Sequence, residues 1–427
     1  MSESIHLSIE GSQYLISQKA INFMQKNKII DTNRTLAIQM KTILYCLFGI
    51  MFFFATAATM TGILIPEMME SYHLSNSQIG LIGSFQSIGS FSAMMFGGAL
   101  ADRFPKLKLI AIIFAVYTAV MYCIGMAPIY HLLLFYFILL GATNAYLNLL
   151  ISAFVSEAYG ERRTAYMNIM HAFFSIGSLA GPIYGVLAQY AGFVWNQSFI
   201  HIGILCTMIV GLFILVISKA KVIQSAPSEY SIKKLLSNIA TLLLNRHLQL
   251  LALLCAFYMG YQQSISLWIT TYVQKGLGLG DEIGNFALVL FWTGIVVARF
   301  IQPVIDKRIP YQKYLCAACF VTAIIYMVVL LIGNGLFIII ALFMGGVFTG
   351  AAYPTIIAMA CALYPNMTGT ATATISLVQS ISTTLLSWIL GIFMEHIGYK
   401  VGIMLIPVLV FLCTLILTVL IRHTAKT

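Results

Sequence analysis

Charged side chains are scarce in this sequence. Only 8% of its 427 residues are Asp, Glu, Lys or Arg, whereas 60% are apolar. A soluble domain carries roughly 25% charged residues, so this chain has too few to cover a surface that faces water. The shortage excludes a soluble enzyme, a secreted disulfide-bonded scaffold and a nucleic-acid-binding domain. What remains is a protein that spans a membrane.

Long apolar runs stand where a soluble protein would alternate polar and apolar residues. A hydrocarbon layer about 30 Å thick needs about 20 apolar residues per helix. We therefore predict an all-α membrane protein with twelve transmembrane helices in two pseudo-symmetric six-helix bundles. The predicted spans lie near residues 43–65, 79–100, 109–127, 130–154, 164–190, 198–218, 247–273, 283–304, 314–332, 335–361, 369–391 and 401–421.

Positive charge is confined to alternate connections between these spans. Of the 23 Lys and Arg residues, 20 lie in the tails, the central loop and alternate turns, and only Lys275 and Lys400 lie in the remaining connections. This positive-inside pattern predicts a multi-pass protein of the cell membrane with both termini in the cytoplasm. The predicted divisions are an N-terminal cytoplasmic tail (1–42), an N-terminal bundle (43–218), a cytoplasmic central loop (219–246), a C-terminal bundle (247–421) and a C-terminal cytoplasmic tail (422–427).

Signatures of catalysis and metal binding are also missing. The sequence has no HExxH, GxSxG or P-loop spacing and no long soluble segment that could host chemistry. All eight cysteines fall in predicted spans, where thiols usually pack as small apolar groups. This holds even for Cys316 and Cys319, whose CxxC spacing in a loop could suggest zinc or redox chemistry. We predict no enzymatic activity, no cofactor and no metal site.

A short turn with an acid followed by basic residues occurs twice. It contains Gly98, Asp102 and Arg103 after span 2, and Asp306 after span 8, about half a chain later. A repeat of this kind places one site at the midplane between two bundles. The first turn resembles the signature loop of the major facilitator superfamily of membrane transporters, with Pro105 standing where the family pattern has glycine.

Within that superfamily, residues 168–177, 291–299 and 345–354 resemble segments of the fucose/glucose:proton symporter group. The resemblance implies transport by alternating access. It also implies that the gating residues are Gly98, Asp102, Arg103, Arg299 and Asp306. An acid at the end of span 2 can accept helix N-terminal amides from the other half. The alternative is a solvated turn that only anchors topology.

Arg299 lies in the inner part of span 8, where an unpaired charge costs at least about 2.5 kcal/mol. We expect it to pair with Asp306 or with carbonyls at a span end. Two alternatives are a direct contact with the substrate and an extension of the side chain to the cytoplasmic interface.

The membrane interior has no carboxylate, since all 13 acids fall in a tail, a loop or a span end. Where the resembled symporters carry acids on spans 4 and 7, this chain has Asn148 and Gln262. Amides suit a neutral polyhydroxylated ligand, and aromatic rings pack against its C–H face. The predicted substrate-binding residues are Gln86, Asn144, Asn148, Asn168, Gln262, Gln263, Trp268, Trp292, Gln379 and Trp388. The alternative is that the amides only join helices, at about 0.6 kcal/mol per contact.

Proton coupling would have to use a group other than an intramembrane acid. His171 lies well inside a span, and an imidazole with the ordinary pKa of about 6.5 titrates in the physiological range. Glu157, at the end of span 4, is the second candidate, although Arg162 and Arg163 beside it favour an ordinary ion pair.

Taken together, these patterns predict a secondary transporter, monomeric in the lipid bilayer, that moves a small polar solute, a sugar in the first place, with protons as a candidate coupling ion. One alternative is an efflux antiporter for drugs or metabolites, which the pattern Gly177, Gly181, Pro182 and Gly185 in span 5 also suggests. Small residues at this spacing equally permit close helix packing. A second alternative is a membrane sensor that does not transport.

Overall fold

The chain folds into helices that follow one another with short connections. The computed structural model describes residues 38–159, 163–219, 241–242, 244–305, 309–364 and 367–424, and these contain no strand. In chain order the helices are α1 (Ile38–Tyr72), α2 (Asn76–Arg103), α3 (Lys106–Gly125), α4 (Tyr130–Ala158), α5 (Arg163–Tyr190), α6 (Trp195–Lys219), α7 (Arg246–Thr271), α8 (Asp281–Ile305), α9 (Tyr311–Ile332), α10 (Gly335–Thr349), α11 (Ala352–Leu363), α12 (Thr368–His396), α13 (Tyr399–Ile403) and α14 (Leu405–Thr424).

Twelve helical segments of the described residues lie where the sequence predicts spans. Among the described residues, eleven segments are long and apolar enough to cross a membrane. The twelfth is α2, which has 28 residues, is rich in glycine and serine, and packs between α4 and α12. Span 10 consists of α10 and α11, and span 12 consists of α13 and α14. The predicted all-helical architecture is confirmed, with most helices longer than predicted by a few residues at their ends.

The helix starts have local chemical causes. The side chain of Asn245 accepts hydrogen bonds from the first amides of α7, and Asn334 does the same for α10. Pro105 and Pro310 precede α3 and α9 with nearly identical backbone angles, φ −56° and ψ 114° against φ −54° and ψ 121°. The proline that departs from the family pattern in the first half therefore has a counterpart 205 residues later, so both turns enter the next helix in the same way.

Glycines permit two closely matched helix crossings. A Cβ on Gly89 or Gly141 would overlap the backbone of the partner helix where α2 crosses α4. Gly294 and Gly346 have the same role where α8 crosses α10. The second pair of helices lies 205 residues after the first. The equal spacing shows that the two halves repeat the same local architecture.

The glycine pattern of α5 is a packing surface. A Cβ on Gly177 would overlap the carbonyl oxygen of Phe52 on α1, and one on Gly181 would overlap the carbonyl oxygen of Thr56. A Cβ on Gly185 would come within 3.1 Å of Ile63. The stripe therefore brings α5 against α1, as the packing interpretation predicts.

Several hydrogen bonds and an ion pair join the two halves at one end of the bundle. We call the end where α1 begins and α14 finishes the tail end, and the opposite one the far end. At the far end, the Ser77 amide donates to Glu395 (2.8 Å) and the Tyr399 hydroxyl donates to Asn76 (3.1 Å). Further contacts between the halves there are Tyr190 to Glu282 (2.9 Å), Asn285 to Gln189 (2.8 Å) and the ion pair of Lys275 with Glu70 (3.5 Å). The structure is closed at the far end.

Candidate functional site

Arg299 connects the two halves deep inside the bundle. Its Nη1 donates to the backbone carbonyl of His171 at 3.2 Å and to the hydroxyl of Ser175, both on α5. These partners differ from the expected span-end carbonyls, because they lie two and three turns inside α5. The other expected partner, Asp306, lies outside the described residues.

Two tyrosines lie in the neighbourhood of the same guanidinium. Tyr258 on α7 and Tyr353 on α11 lie close enough to interact electrostatically with Arg299. The hydroxyl of Tyr258 and the Nε of Arg299 are both buried without a hydrogen-bond partner among the described residues. Buried polar groups are normally paired, so these two atoms keep hydrogen-bonding capacity that the described residues do not use.

Two of the predicted amides lie on one face of α4, near its middle. The Oδ1 of Asn144 is buried and has no hydrogen-bond partner among the described residues. Asn148, one turn further, accepts a long hydrogen bond of 3.4 Å from Ser152 in its own helix. Asn144 is therefore the better placed of the two to receive a hydroxyl from a solute.

Gln262, Gln263 and Gln379 lie in the C-terminal half. Gln262 is buried and Gln263 is half-buried, both near the middle of α7. Gln379 on α12 accepts a weak hydrogen bond from the thiol of Cys255 on α7, at 3.6 Å. That contact joins two helices of one half, which is the structural use that amides have in membranes.

The three predicted tryptophans have three different environments. Trp292 is buried on α8, and its indole Nε1 has no hydrogen-bond partner among the described residues. Trp268 is fully buried and donates to the Ser387 carbonyl at 3.3 Å, so it joins α7 to α12. Trp388 is 41% exposed. It shares its face of α12 with the exposed side chains of Ile381 and Leu385, which is the placement of a lipid-facing residue.

Of the remaining predicted site residues, the structure describes the side chain of Gln86 and not those of the others. Gln86 is half-buried at the crossing of α2 with α4, where its carbonyl oxygen faces Gly141. The side chain of Asn168 on α5 lies outside the described part of the structure. The same holds for the side chains of Asp102 and Arg103 and for the surroundings of Gly98, at the end of α2. Asp306 is not among the described residues.

The two proton-coupling candidates differ in burial and in their distance from the helix ends. His171 is half-buried on α5, and its contact with Arg299 uses the backbone carbonyl, not the imidazole. Glu157 is exposed at the tail end and forms an ion pair of 2.9 Å with Lys106. The expected ion pair of Glu157 thus exists, with Lys106 as a partner, and this carboxylate lies far from the middle of the bundle.

Sequence reasoning did not include Ser175, Tyr258, Tyr261 or Tyr353 in the site. Tyr261 forms a short hydrogen bond with Thr349 at the end of α10. A usable signal was present, since Tyr258, Tyr261 and Gln262 recur at helical spacing on α7. An apolar cavity of about 10 Å³ lies nearby, lined by Ile265 and Tyr326 among others. It is too small and too apolar to hold a polar solute.

These features define a class of protein: a polytopic helical membrane protein with two repeated halves and unpaired polar groups between them, which is the architecture of a carrier. A sequence model of the Major Facilitator Superfamily matches residues 47–338, more than half of the chain. The chain belongs to the major facilitator superfamily.

Individual relatives share low sequence identity with this chain. A putative glucose/galactose transporter of Helicobacter pylori is 24% identical over 367 residues, covering 81% of this chain and 86% of its own. The glucose/mannose transporter GlcP of Bacillus subtilis is 18% identical over 357 residues, with the same coverage.

Solved structures share the fold. A bacterial homolog to the human lysosomal transporter Spinster, inward-facing and unoccupied, superposes with a TM-score of 0.75 at 12% identity, over 91% of this chain and 98% of its own. A D-xylose-proton symporter gives a TM-score of 0.71 at 16% identity, over 90% of this chain and 97% of its own.

Proposed function

We propose that this protein carries a sugar-sized polyhydroxylated solute across the cell membrane by alternating access, as a monomer and without enzymatic activity. The observation that carries the proposal is a pair of unsatisfied polar atoms, one in each half. Asn144 Oδ1 on α4 and Trp292 Nε1 on α8 are both buried, and neither has a hydrogen-bond partner among the described residues. A hydroxyl-bearing solute supplies both a donor and an acceptor.

The relatives support the same solute class. The curated proteins that this chain resembles over four fifths of its length are named as transporters of glucose, galactose or mannose. The far-end contacts between the halves favour a state in which the site opens towards the tail end. With the tails in the cytoplasm, as the charge distribution predicts, this is an inward-facing state. The proposed moving bodies are the bundles 43–218 and 247–421.

Efflux receives no separate support. The glycine pattern of α5 that suggested an antiporter packs against α1, and this contact accounts for the pattern. Coupling to protons is part of the proposal, with His171 as the carrier. The acids of known placement among the described residues lie near helix ends, so His171 is the candidate whose ordinary pKa of about 6.5 suits proton exchange near neutral pH.

The test is counterflow of labelled monosaccharides in proteoliposomes containing the full chain, with and without a pH gradient. We expect accumulation of at least one labelled sugar, and we expect Asn144→Ala and Gln262→Ala to reduce it at least about tenfold, the equivalent of 1.4 kcal/mol in binding. The matched control is Trp388→Phe on the exposed face of α12, which leaves transport unchanged. Absence of counterflow for every monosaccharide and sugar derivative tried, by a folded protein, would refute the proposal.

A further inference from the structure

Among the side chains that the structure describes, the charge inside the bundle has one sign. Glu67, Glu70, Asp281, Glu282 and Glu395 all lie within two turns of a helix end at the far end, and Glu157 lies at the tail end. Arg299 lies among the membrane-spanning residues, and its hydrogen-bond partners among the described residues are a hydroxyl and a carbonyl, both neutral. A cation in this position is costly, and such residues often mark the pathway of a substrate or an ion.

The guanidinium has one edge in use and one edge free. Nη1 is bound to α5, whereas Nε is buried and has no partner among the described residues. The side chain as a whole is half-buried, and it lies between α5 and α8, where the two halves face each other. The edge formed by Nε and Nη2 is the one that binds a carboxylate through two parallel hydrogen bonds.

Two other side chains of the C-terminal half carry polar groups without a partner among the described residues. Tyr258 carries an unpartnered hydroxyl, and Trp292 carries an unpartnered indole N–H on the same face of α8, two turns from Arg299. Seven residues of helix separate the two α8 side chains by about 10 Å. A six-carbon sugar derivative with a hydrogen bond at each end covers that distance.

We propose that the solute is a sugar acid with a single carboxylate, which binds to the Nε edge of Arg299 while its hydroxyls reach Trp292 and Asn144. This inference rests on the proposed function, because it specifies the class of sugar. One guanidinium neutralises one carboxylate. A sugar phosphate, with a charge of −1.5 to −2 at neutral pH, would bring part of its charge into the bundle without a partner.

The experiment measures counterflow in proteoliposomes with three labelled probes: glucose, glucuronate and glucose 6-phosphate. For the wild type we expect glucuronate to be exchanged at least tenfold faster than the other two at equal concentration. Arg299→Gln abolishes glucuronate exchange. Arg299→Lys, which keeps the charge but loses the planar fork, retains a reduced rate. The control Arg422→Gln removes one positive charge at the end of α14 and leaves the preference unchanged.

The outcomes separate the two proposals. Exchange of glucose with no preference for glucuronate overturns the sugar-acid inference and leaves the proposed function intact. Exchange of none of the probes or of other sugars overturns both. Preference for glucose 6-phosphate overturns the inference in favour of a dianion. If Arg299→Gln does not fold, Arg299→Lys decides, because an unchanged glucuronate rate in that variant contradicts a two-bond contact.

Asp306→Asn is the sharpest further variant. Asp306 lies seven residues after Arg299 in the chain, so its carboxylate could compete with a solute for the guanidinium. If the guanidinium is free for a solute, this variant binds glucuronate with wild-type affinity. A tenfold tighter affinity would show that Asp306 neutralises Arg299 in the wild type, and the inference would be overturned.

Discussion

In the N-terminal half, α2 crosses α4 at Gly89 and Gly141; in the C-terminal half, α8 crosses α10 at Gly294 and Gly346, each 205 residues later. Gly141 faces the carbonyl oxygen of Gln86, and Gly346 faces that of Phe291. These two carbonyl residues are also 205 positions apart. One turn beyond the crossing glycine, however, the halves diverge. The difference teaches that the backbone scaffold is repeated, while the side chains that meet a solute are not.

The divergence is chemical. Asn144 in the first half corresponds to Thr349 in the second, and Asn148 corresponds to Tyr353. Asn144 has an unpartnered oxygen, whereas Thr349 is bound both to Tyr261 and to the carbonyl of Gly345. At this position the first half therefore has an amide oxygen without a hydrogen-bond partner, whereas the second half has a hydroxyl whose hydrogen bonds are made within the protein. The second half contributes Arg299 and Trp292 instead.

The largest effect on stability is expected at the two glycine crossings, which the halves share. Gly141→Ala and Gly346→Ala should each lower the free energy of unfolding by about 1–3 kcal/mol or more, because the added Cβ overlaps the backbone of the crossing helix. Thermal unfolding of the purified protein measures this. Gly49→Ala and Gly211→Ala are the controls, since nothing lies within 4 Å of their Cβ positions. A loss in only one of the two crossings would break the equivalence of the halves.

An intermediate effect is expected where the halves differ. Asn144→Ala should reduce transport at least about tenfold with little change in thermal stability. Thr349→Val should do the reverse and lower stability by about 1 kcal/mol, because it removes the hydrogen bond with Tyr261. Counterflow and thermal unfolding of both variants give the comparison. Equal losses of transport would mean that both positions line the site in the same way.

The smallest effects concern the ends of the bundle. Glu395→Gln weakens the hydrogen bond from Ser77 that joins the halves, so we expect about 1 kcal/mol less stabilisation of the closed far end. Spin labels at His73 and Lys400, in a chain without its native cysteines, report the widening as an altered distance distribution. Glu157→Gln is the control within the N-terminal half and should cost less than about 1 kcal/mol, with no change in that distribution.

The helices could be predicted from the sequence because a membrane of fixed thickness demands long apolar runs. The face that each helix presents could not. Lipid is as apolar as a protein interior, so Trp388 beside Ile381 and Leu385 has no pattern that separates it from Trp292. The bond from Arg299 to α5 joins residues more than 120 positions apart, and no local spacing predicts it. Asn144, by contrast, was accessible to prediction, because a lone amide in an apolar run is visible in the sequence.

The break in span 10 has a mechanical consequence. Pro354 lies in the first turn of α11 and has no amide to donate, so the regular bonding of the span is interrupted between Thr349 and Ala352. The equivalent span of the first half, α4, is continuous from Tyr130 to Ala158. The far-end part of span 10 packs closely against α8 at the glycine crossing, whereas α11, which carries Tyr353, packs against α7 and α12. At equivalent positions, one half thus has a single continuous helix and the other has two shorter helices whose directions are set by their own separate contacts.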